Sequence, residues 1–106
     1  MAEPALDLSE IIGLYKDDAR RSVGQMRDAV AKWPEMAANG EACQQLRRLA
    51  HQLRGSGRTY GFRGVSRIGK AMEQVIIKLQ AKRLPADERL RTFMQVQIER
   101  LAEIFK

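Results

Sequence analysis

The chain has 106 residues, a length that suits one small domain, residues 1–106. Apolar residues make up 44% and charged residues 30%, which excludes a disordered chain, and no apolar run is long enough to span a membrane. The acidic N-terminus has no apolar core, so we expect no signal peptide. Together with a lone cysteine, Cys43, which excludes an internal disulfide, this predicts a cytoplasmic protein. One histidine and one cysteine are also too few ligands for a zinc site.

The net charge is concentrated in one segment. The chain carries +6, and residues 41–70 account for all of it, because Glu41 is the only acid there. The basic residues of this segment are Arg47, Arg48, Arg54, Arg58, Arg63, Arg67 and Lys70. Since the rest of the chain is neutral, we expect this segment to form a docking surface for an anionic partner.

Turn signals divide the chain into four predicted helices. The first covers about residues 7–33, with Asp7 or Ser9 as its N-cap and Pro34 at its end or at a kink, before a turn at residues 38–40. The second covers about 41–60, with Gly61 in a left-handed C-terminal position. The third covers about 63–82, and the fourth opens at LPADE, with Pro85 in its first turn.

Apolar residues recur every three or four positions in all four segments. Helices of this length with short connections predict an all-α, antiparallel up-down-up-down four-helix bundle. The residues predicted to face its core are Leu8, Ile12, Tyr15, Ala19, Val23, Met26, Val30 and Trp33; Leu46, Leu49, Ala50, Leu53 and Tyr60; Val65, Ile68, Met72, Val75 or Ile76, and Leu79; and Leu90, Phe93, Met94, Leu101, Ile104 and Phe105.

His51, the only histidine, is predicted to face solvent. At about 100° per residue it lies about 140° from Leu46, which belongs to the apolar stripe of the second helix. Arg47, Arg54 and Arg58 share its side of that helix. A row of arginines on a helix is most often only a solvated face, so this pattern alone does not establish a function.

Two glycines lie close to His51, and each costs a helix interior about 1 kcal/mol relative to alanine. Gly57 falls on the apolar stripe, where close packing against a neighbouring helix explains it. Gly55 faces outward, so we expect it to leave room for another molecule. The surrounding cations favour a neutral, nucleophilic imidazole near pH 7 and an anionic visitor such as a phosphoryl group.

The run HQLRGSGRTYGF, residues 51–62, resembles the signature of the histidine-containing phosphotransfer (HPt) domain family. That signature has a histidine, then an apolar residue two positions on, Lys or Arg three on, Gly four on, a small residue six on and Gly ten on. The matching residues are His51, Leu53, Arg54, Gly55, Gly57 and Gly61, with Arg54 in place of the commoner lysine.

The resemblance implies a phosphorelay intermediate that is a phosphoryl carrier, with no autokinase activity. His51 would accept a phosphoryl group from the aspartate of one receiver domain and pass it to the aspartate of another. Arg54 would stabilise the phosphate, and Gly55 would leave room for the receiver to approach. The residues expected in support are Arg47, Arg58 and Lys70. The expected partners are receiver domains and a hybrid histidine kinase; we expect no cofactor, a monomer, and a free-standing chain that begins at Met1.

Glu73 is a further candidate. Phosphotransfer domains of chemotaxis-type histidine kinases are similar, and in them a glutamate on the third helix hydrogen-bonds the imidazole. Glu73, which follows His51 by twenty-two residues, matches that position and would fix the tautomer with Nε2 as the nucleophile. The alternative, a surface acid paired with Lys70 or Arg67, remains equally open at this stage.

Two rival functions use the same residues. A sequence pI near 10.0 and the arginine cluster fit a basic helical nucleic-acid-binding protein, although the cluster lacks interleaved aromatic residues and a recognition motif. A pseudo-HPt adaptor would bind receiver domains without phosphotransfer. We favour the HPt interpretation, and with it no binding of nucleic acid or membrane.

Overall fold

The computed structural model describes residues 7–33 and 40–106, and these form four helices. The helices are α1 (Leu8–Ala31), α2 (Glu41–Thr59), α3 (Arg63–Gln80) and α4 (Glu88–Ile104). The predicted all-α fold is therefore confirmed, with helix ends within about three residues of those expected. Pro34 and most of the predicted turn at residues 38–40 lie outside the described residues.

Aspartates cap the first and last helices. The Asp7 carboxylate accepts a hydrogen bond from the Glu10 amide at 2.8 Å, and the Asp87 carboxylate accepts one from the Leu90 amide at 3.1 Å. Asp7 was predicted as a cap. The fourth helix, however, begins later than predicted, because Asp87 is its N-cap. Because this side chain satisfies a free amide of the first turn, α4 begins after it, and Pro85 lies before the cap rather than in the first turn.

A tight turn joins α2 to α3. Gly61 has a φ of +84°, the left-handed conformation predicted for it, and the Phe62 amide donates to the Gly57 carbonyl at 2.7 Å. These are the marks of a glycine-terminated helix end, in which the hydrogen bond satisfies a carbonyl that the helix leaves free. The chain thereby reverses direction within three residues.

The contact between α2 and α3 is too close for side chains at two positions. A Cβ added to Gly69 would lie 2.8 Å from both the Ala50 carbonyl oxygen and the Arg54 amide nitrogen. A Cβ added to Gly57 would lie 2.8 Å from the Ser66 amide nitrogen. The predicted packing role of Gly57 is therefore confirmed, and its partner helix brings a second glycine that the sequence reasoning missed.

Contacts between helices fix the direction in which they run. Between α1 and α4, residues with rising numbers on α1 meet residues with falling numbers on α4, so the two helices are antiparallel. The hydrogen-bonded pairs are Arg20 with the Phe105 carbonyl at 2.6 Å, Arg27 with Glu99 at 3.0 Å, and Trp33 with the Asp87 carbonyl at 3.0 Å. The glycine contacts show the same reversal between α2 and α3.

The core contains most of the predicted apolar residues, with three corrections. Leu8 is 73% exposed, Tyr60 38% and Ile104 37%. Leu8 lies about two turns of α1 before Tyr15, the first buried residue of that helix, so no neighbouring layer covers it. Tyr60 and Ile104 lie at the last turns of α2 and α4, where solvent reaches one side of each side chain.

Candidate functional site

His51 lies on the solvent side of α2, with 70% of its side chain exposed. It belongs to the helix face opposite the buried stripe, as the helical spacing predicted. The imidazole therefore stands on the bundle surface, where another macromolecule can reach it.

One carboxylate on α3 holds two side chains of α2. Glu73 Oε2 lies 2.6 Å from His51 Nδ1, and Glu73 Oε1 accepts a hydrogen bond from Arg54 Nη1 at 2.9 Å. The Glu73 side chain is only 8% exposed, although its two partners are far more open. Glu73 is thus not a surface acid paired with Lys70 or Arg67, and that alternative is wrong.

The ionisation state of Glu73 determines which nitrogen of the His51 imidazole carries the proton. Burial raises the pKa of this carboxyl, but the hydrogen bonds from Arg54 and His51 outweigh burial and lower the pKa below its ordinary value of 4.5. A carboxylate that stays ionised only accepts hydrogen bonds, so Nδ1 of His51 carries the proton. The lone pair of a neutral ring is then on Nε2, which leaves that nitrogen as the nucleophile.

Gly55 lies one turn after His51 on the exposed side of α2. A Cβ built on it would meet no atom within 4 Å outside its own helix backbone. Nothing in the packing of the bundle therefore requires a glycine here, in contrast to Gly57. The surface beside the imidazole is bare backbone, which lets a partner approach closely.

The cations of the basic segment divide into two groups. Arg47 donates to the Gln80 side chain at 2.6 Å, and together with Arg48 it borders an open depression that also contains His51 and Glu73. Arg58 and Lys70 were also expected in support of His51, but they lie elsewhere. They belong to a second depression, named here the basic depression, lined by Arg54, Arg58, Gly61, Arg63, Ser66, Arg67 and Lys70.

The other flank of α2 is different in character. Between α1 and α2 lies a groove, named here the α1–α2 groove, whose apolar lining includes Leu14, Tyr15 and Tyr60 and whose charged lining is the ion pair of Asp18 with Arg21. Leu14 is 60% exposed, and the Tyr60 ring stacks on Tyr15 with centroids 4.5 Å apart. Gln52 and Ser56, on the helix that carries His51, complete this flank. The imidazole therefore lies between cationic depressions and a groove without net charge.

The described part of the chain offers neither a metal-ligand cluster nor an exposed cysteine. In that part of the chain, no group of three or more His, Cys, Asp or Glu residues could hold a metal ion, and no helix is long and apolar enough to cross a membrane. Cys43 is fully buried, and burial raises the pKa of its thiol. Its role is packing, so it offers no nucleophile.

The fold and the site define a class of protein: a four-helix bundle that presents one exposed histidine on its second helix. The sequence model of the Hpt domain family matches residues 10–104. The chain therefore belongs to the Hpt domain family, whose members are phosphocarriers in two-component signalling and interact there with receiver domains and kinases. Neither the comparison with curated proteins nor that with solved structures finds a match.

Proposed function

We propose that His51 is the phosphoacceptor of a phosphorelay and carries a phosphoryl group between the aspartates of receiver domains. The observation that carries this proposal is the exposed imidazole whose Nδ1 is held by the buried carboxylate of Glu73 at 2.6 Å. An exposed ring is accessible to an aspartyl phosphate, and a fixed ring presents Nε2 at low entropic cost.

The transfer step is a displacement at phosphorus. The Nε2 lone pair of His51 attacks the phosphoryl group, the bond between phosphorus and the aspartate oxygen breaks, and the aspartate leaves as a carboxylate. Nδ1 keeps its proton, so the phosphorylated ring gains a positive charge. The Glu73 carboxylate, bonded to that same N–H, offsets this charge as it develops. Transfer to the next receiver is the reverse step.

Arg54 and Gly55, which lie about one turn beyond His51 on α2, serve the same step. Arg54 uses one guanidinium nitrogen on Glu73, and its remaining donors are able to bind a phosphoryl oxygen. Gly55 leaves the backbone bare where the receiver must approach. Arg47 adds positive charge beside His51 and is oriented by Gln80. Arg58 and Lys70 contribute charge from the basic depression.

The proposal includes the partners and the setting. We infer a monomeric carrier with no autokinase activity, located in the cytoplasm, that works between a hybrid histidine kinase and one or more response regulators. Its sequence pI near 10.0 complements the acidic pocket expected around a receiver aspartate. We do not assign it a nucleic-acid ligand, because the α1–α2 groove beside His51 has no net positive charge to bind phosphates: its one arginine, Arg21, is paired with Asp18.

The test is incubation with a panel of receiver domains that carry labelled aspartyl phosphate. We expect label on the wild-type protein that is labile in acid and stable in alkali, as a phosphoramidate should be. In His51→Gln the label should disappear, while the unfolding temperature should fall only slightly, because the exposed side chain gives up one hydrogen bond to Glu73 and Arg54 still bonds that carboxylate.

Two results separate this function from its rivals. If receivers bind the wild-type protein normally but leave no label, the protein is an adaptor without phosphotransfer. If it binds DNA or RNA tightly, with strong salt dependence and no effect of His51→Gln, the nucleic-acid function replaces the one proposed here.

A further inference from the structure

The basic depression holds four cations that no described residue neutralises. Arg58, Arg63, Arg67 and Lys70 are all exposed, and none of them makes a side-chain hydrogen bond or ion pair with another described residue. Their nearest acid in sequence, Glu73, is buried and already bonded to His51 and Arg54. Like charges held this close repel one another, so the surface is poised for an external anion.

The basic depression lies beside His51 but does not include it. Arg58 follows His51 by seven residues, which places it about 10 Å further along α2. Arg54 connects the two places, because it lines the basic depression and also bonds the carboxylate that holds the imidazole. A group transferred at His51 is too small to reach these cations, so they must meet a different part of the partner.

The two flanks of His51 indicate what kind of partner fits. On the α1 side lies the α1–α2 groove with exposed Leu14, and on the α3 side lies the basic depression. A nucleic acid would present phosphates to both flanks, but the groove has no net positive charge to bind them, because its one arginine, Arg21, is paired with Asp18. A folded protein is able to present an apolar patch on one side of its reacting group and acids on the other.

We propose that the basic depression is a docking surface for an acidic patch on the receiver domain, separate from the receiver's phosphorylation pocket. This inference rests on the proposed function of His51. The depression attracts the receiver over a distance and orients it so that its aspartate faces the imidazole. Contacts of this kind act mainly on the rate of association and on its salt dependence.

The test compares two double variants with the same change in net charge. Arg63→Glu with Arg67→Glu reverses two cations of the basic depression. Arg89→Glu with Arg100→Glu is the matched control on α4, because Arg63 and Arg89 each lie in the first turn of their helix and all four side chains are exposed. Association with a receiver that phosphorylates the wild-type protein is measured by stopped flow at about 50 mM and about 500 mM salt.

We expect the depression variant to associate at least tenfold more slowly at low salt and to approach the wild type at high salt. The control should stay within about twofold of the wild type at both salt concentrations. Labelling of His51 by phosphoramidate, a small phosphodonor that needs no docking, should be unchanged in both variants. A receiver in which a surface acid is changed to lysine should restore the rate of the depression variant.

Three results would overturn the inference while leaving the function of His51 intact. One is equal slowing in both variants, which would show a general effect of charge. Another is slower labelling by phosphoramidate in the depression variant, which would place these arginines in the chemistry. The third is loss of nucleic-acid binding with unchanged receiver association. A wild-type protein that no receiver labels contradicts the proposed function itself, and the docking surface with it.

Discussion

Two glycines separated by a single residue on α2 lie in opposite surroundings. Gly57 belongs to the seam, the contact between α2 and α3 that also includes Gly69, where a Cβ would lie 2.8 Å from backbone atoms. Gly55 belongs to the crest, the exposed strip that also carries His51, where a Cβ would meet nothing outside its own helix backbone. The same residue type thus serves helix packing at one position and access by a partner at the other.

The comparison shows how one helix serves two purposes without conflict. The seam holds α3 so close to α2 that a buried Glu73 is able to reach both His51 and Arg54. The crest remains free of packing, so it is available to a partner. Changes in the seam should therefore act first on stability, and changes on the crest should act on transfer while the fold is preserved.

The largest effect should follow from a side chain in the seam. We expect Gly69→Val to lower the free energy of unfolding by about 3 kcal/mol, because its Cβ meets backbone atoms that cannot move aside as a flexible side chain would. Urea unfolding followed by circular dichroism measures this. Gly55→Val is the matched control and should change the stability by less than about 1 kcal/mol. Equal losses in the two variants would show that the seam is looser than the structure indicates.

A smaller loss should follow from Glu73→Gln, which keeps the shape of the side chain but removes its charge. At pH 7 we expect a loss of about 1–3 kcal/mol, since two hydrogen bonds between charged or polar partners are weakened in a buried position. Glu99→Gln removes one half of an exposed pair with Arg27 and should cost less. Both are compared by urea unfolding.

The same variant also tests the pH dependence. The pKa of Glu73 is lowered in the folded protein because its two hydrogen bonds outweigh burial, so the ionised carboxylate stabilises the fold. This contribution is fully present above the unfolded value of about 4.5. It is lost as the pH falls through the lower folded value. The stability difference between wild type and Glu73→Gln should therefore shrink below pH 4.5, and a difference that grows there would contradict this sign.

The smallest effect in energy should follow from a side chain on the crest. We expect Gly55→Leu to slow phosphotransfer from a receiver about tenfold, which corresponds to about 1.4 kcal/mol, because the leucine occupies the space of the approaching partner. Its stability should equal or exceed that of the wild type. Gly13→Leu, at another open glycine on an exposed helix surface, is the control and should leave transfer unchanged. Normal transfer in Gly55→Leu would remove the proposed role of this glycine.

Several features followed directly from local sequence patterns. The apolar spacing predicted all four helices, and the position of His51 relative to Leu46 predicted its exposed side. The left-handed Gly61 was predictable because a glycine after a helix is the residue best suited to that conformation. Errors occurred at helix ends, as with Pro85, because a capping side chain and not a proline determines the first residue of α4.

Other features depend on which residues meet across helices. Gly69 interrupts the apolar stripe that contains Val65 and Met72, and that interruption was the signal for a close helix contact, but it does not name the backbone atoms of α2 that it touches. The division of the cations into two groups likewise depends on the register of α3 against α2. Helical spacing placed Arg58 on the side of His51, and Lys70 was expected in support of it, whereas both line a separate depression.

The amino-acid sequence by itself determined the helices, the exposed side of α2 and the resemblance at residues 51–62, because each depends on residues within a few turns of one another. Only the tertiary structure decided that Glu73 is buried, that it bonds both His51 and Arg54, and that the α1–α2 groove and the basic depression flank the imidazole. The reason is physical: a helical repeat fixes the direction of a side chain around its own axis, whereas burial and pairing depend on how closely and in what register a second helix packs.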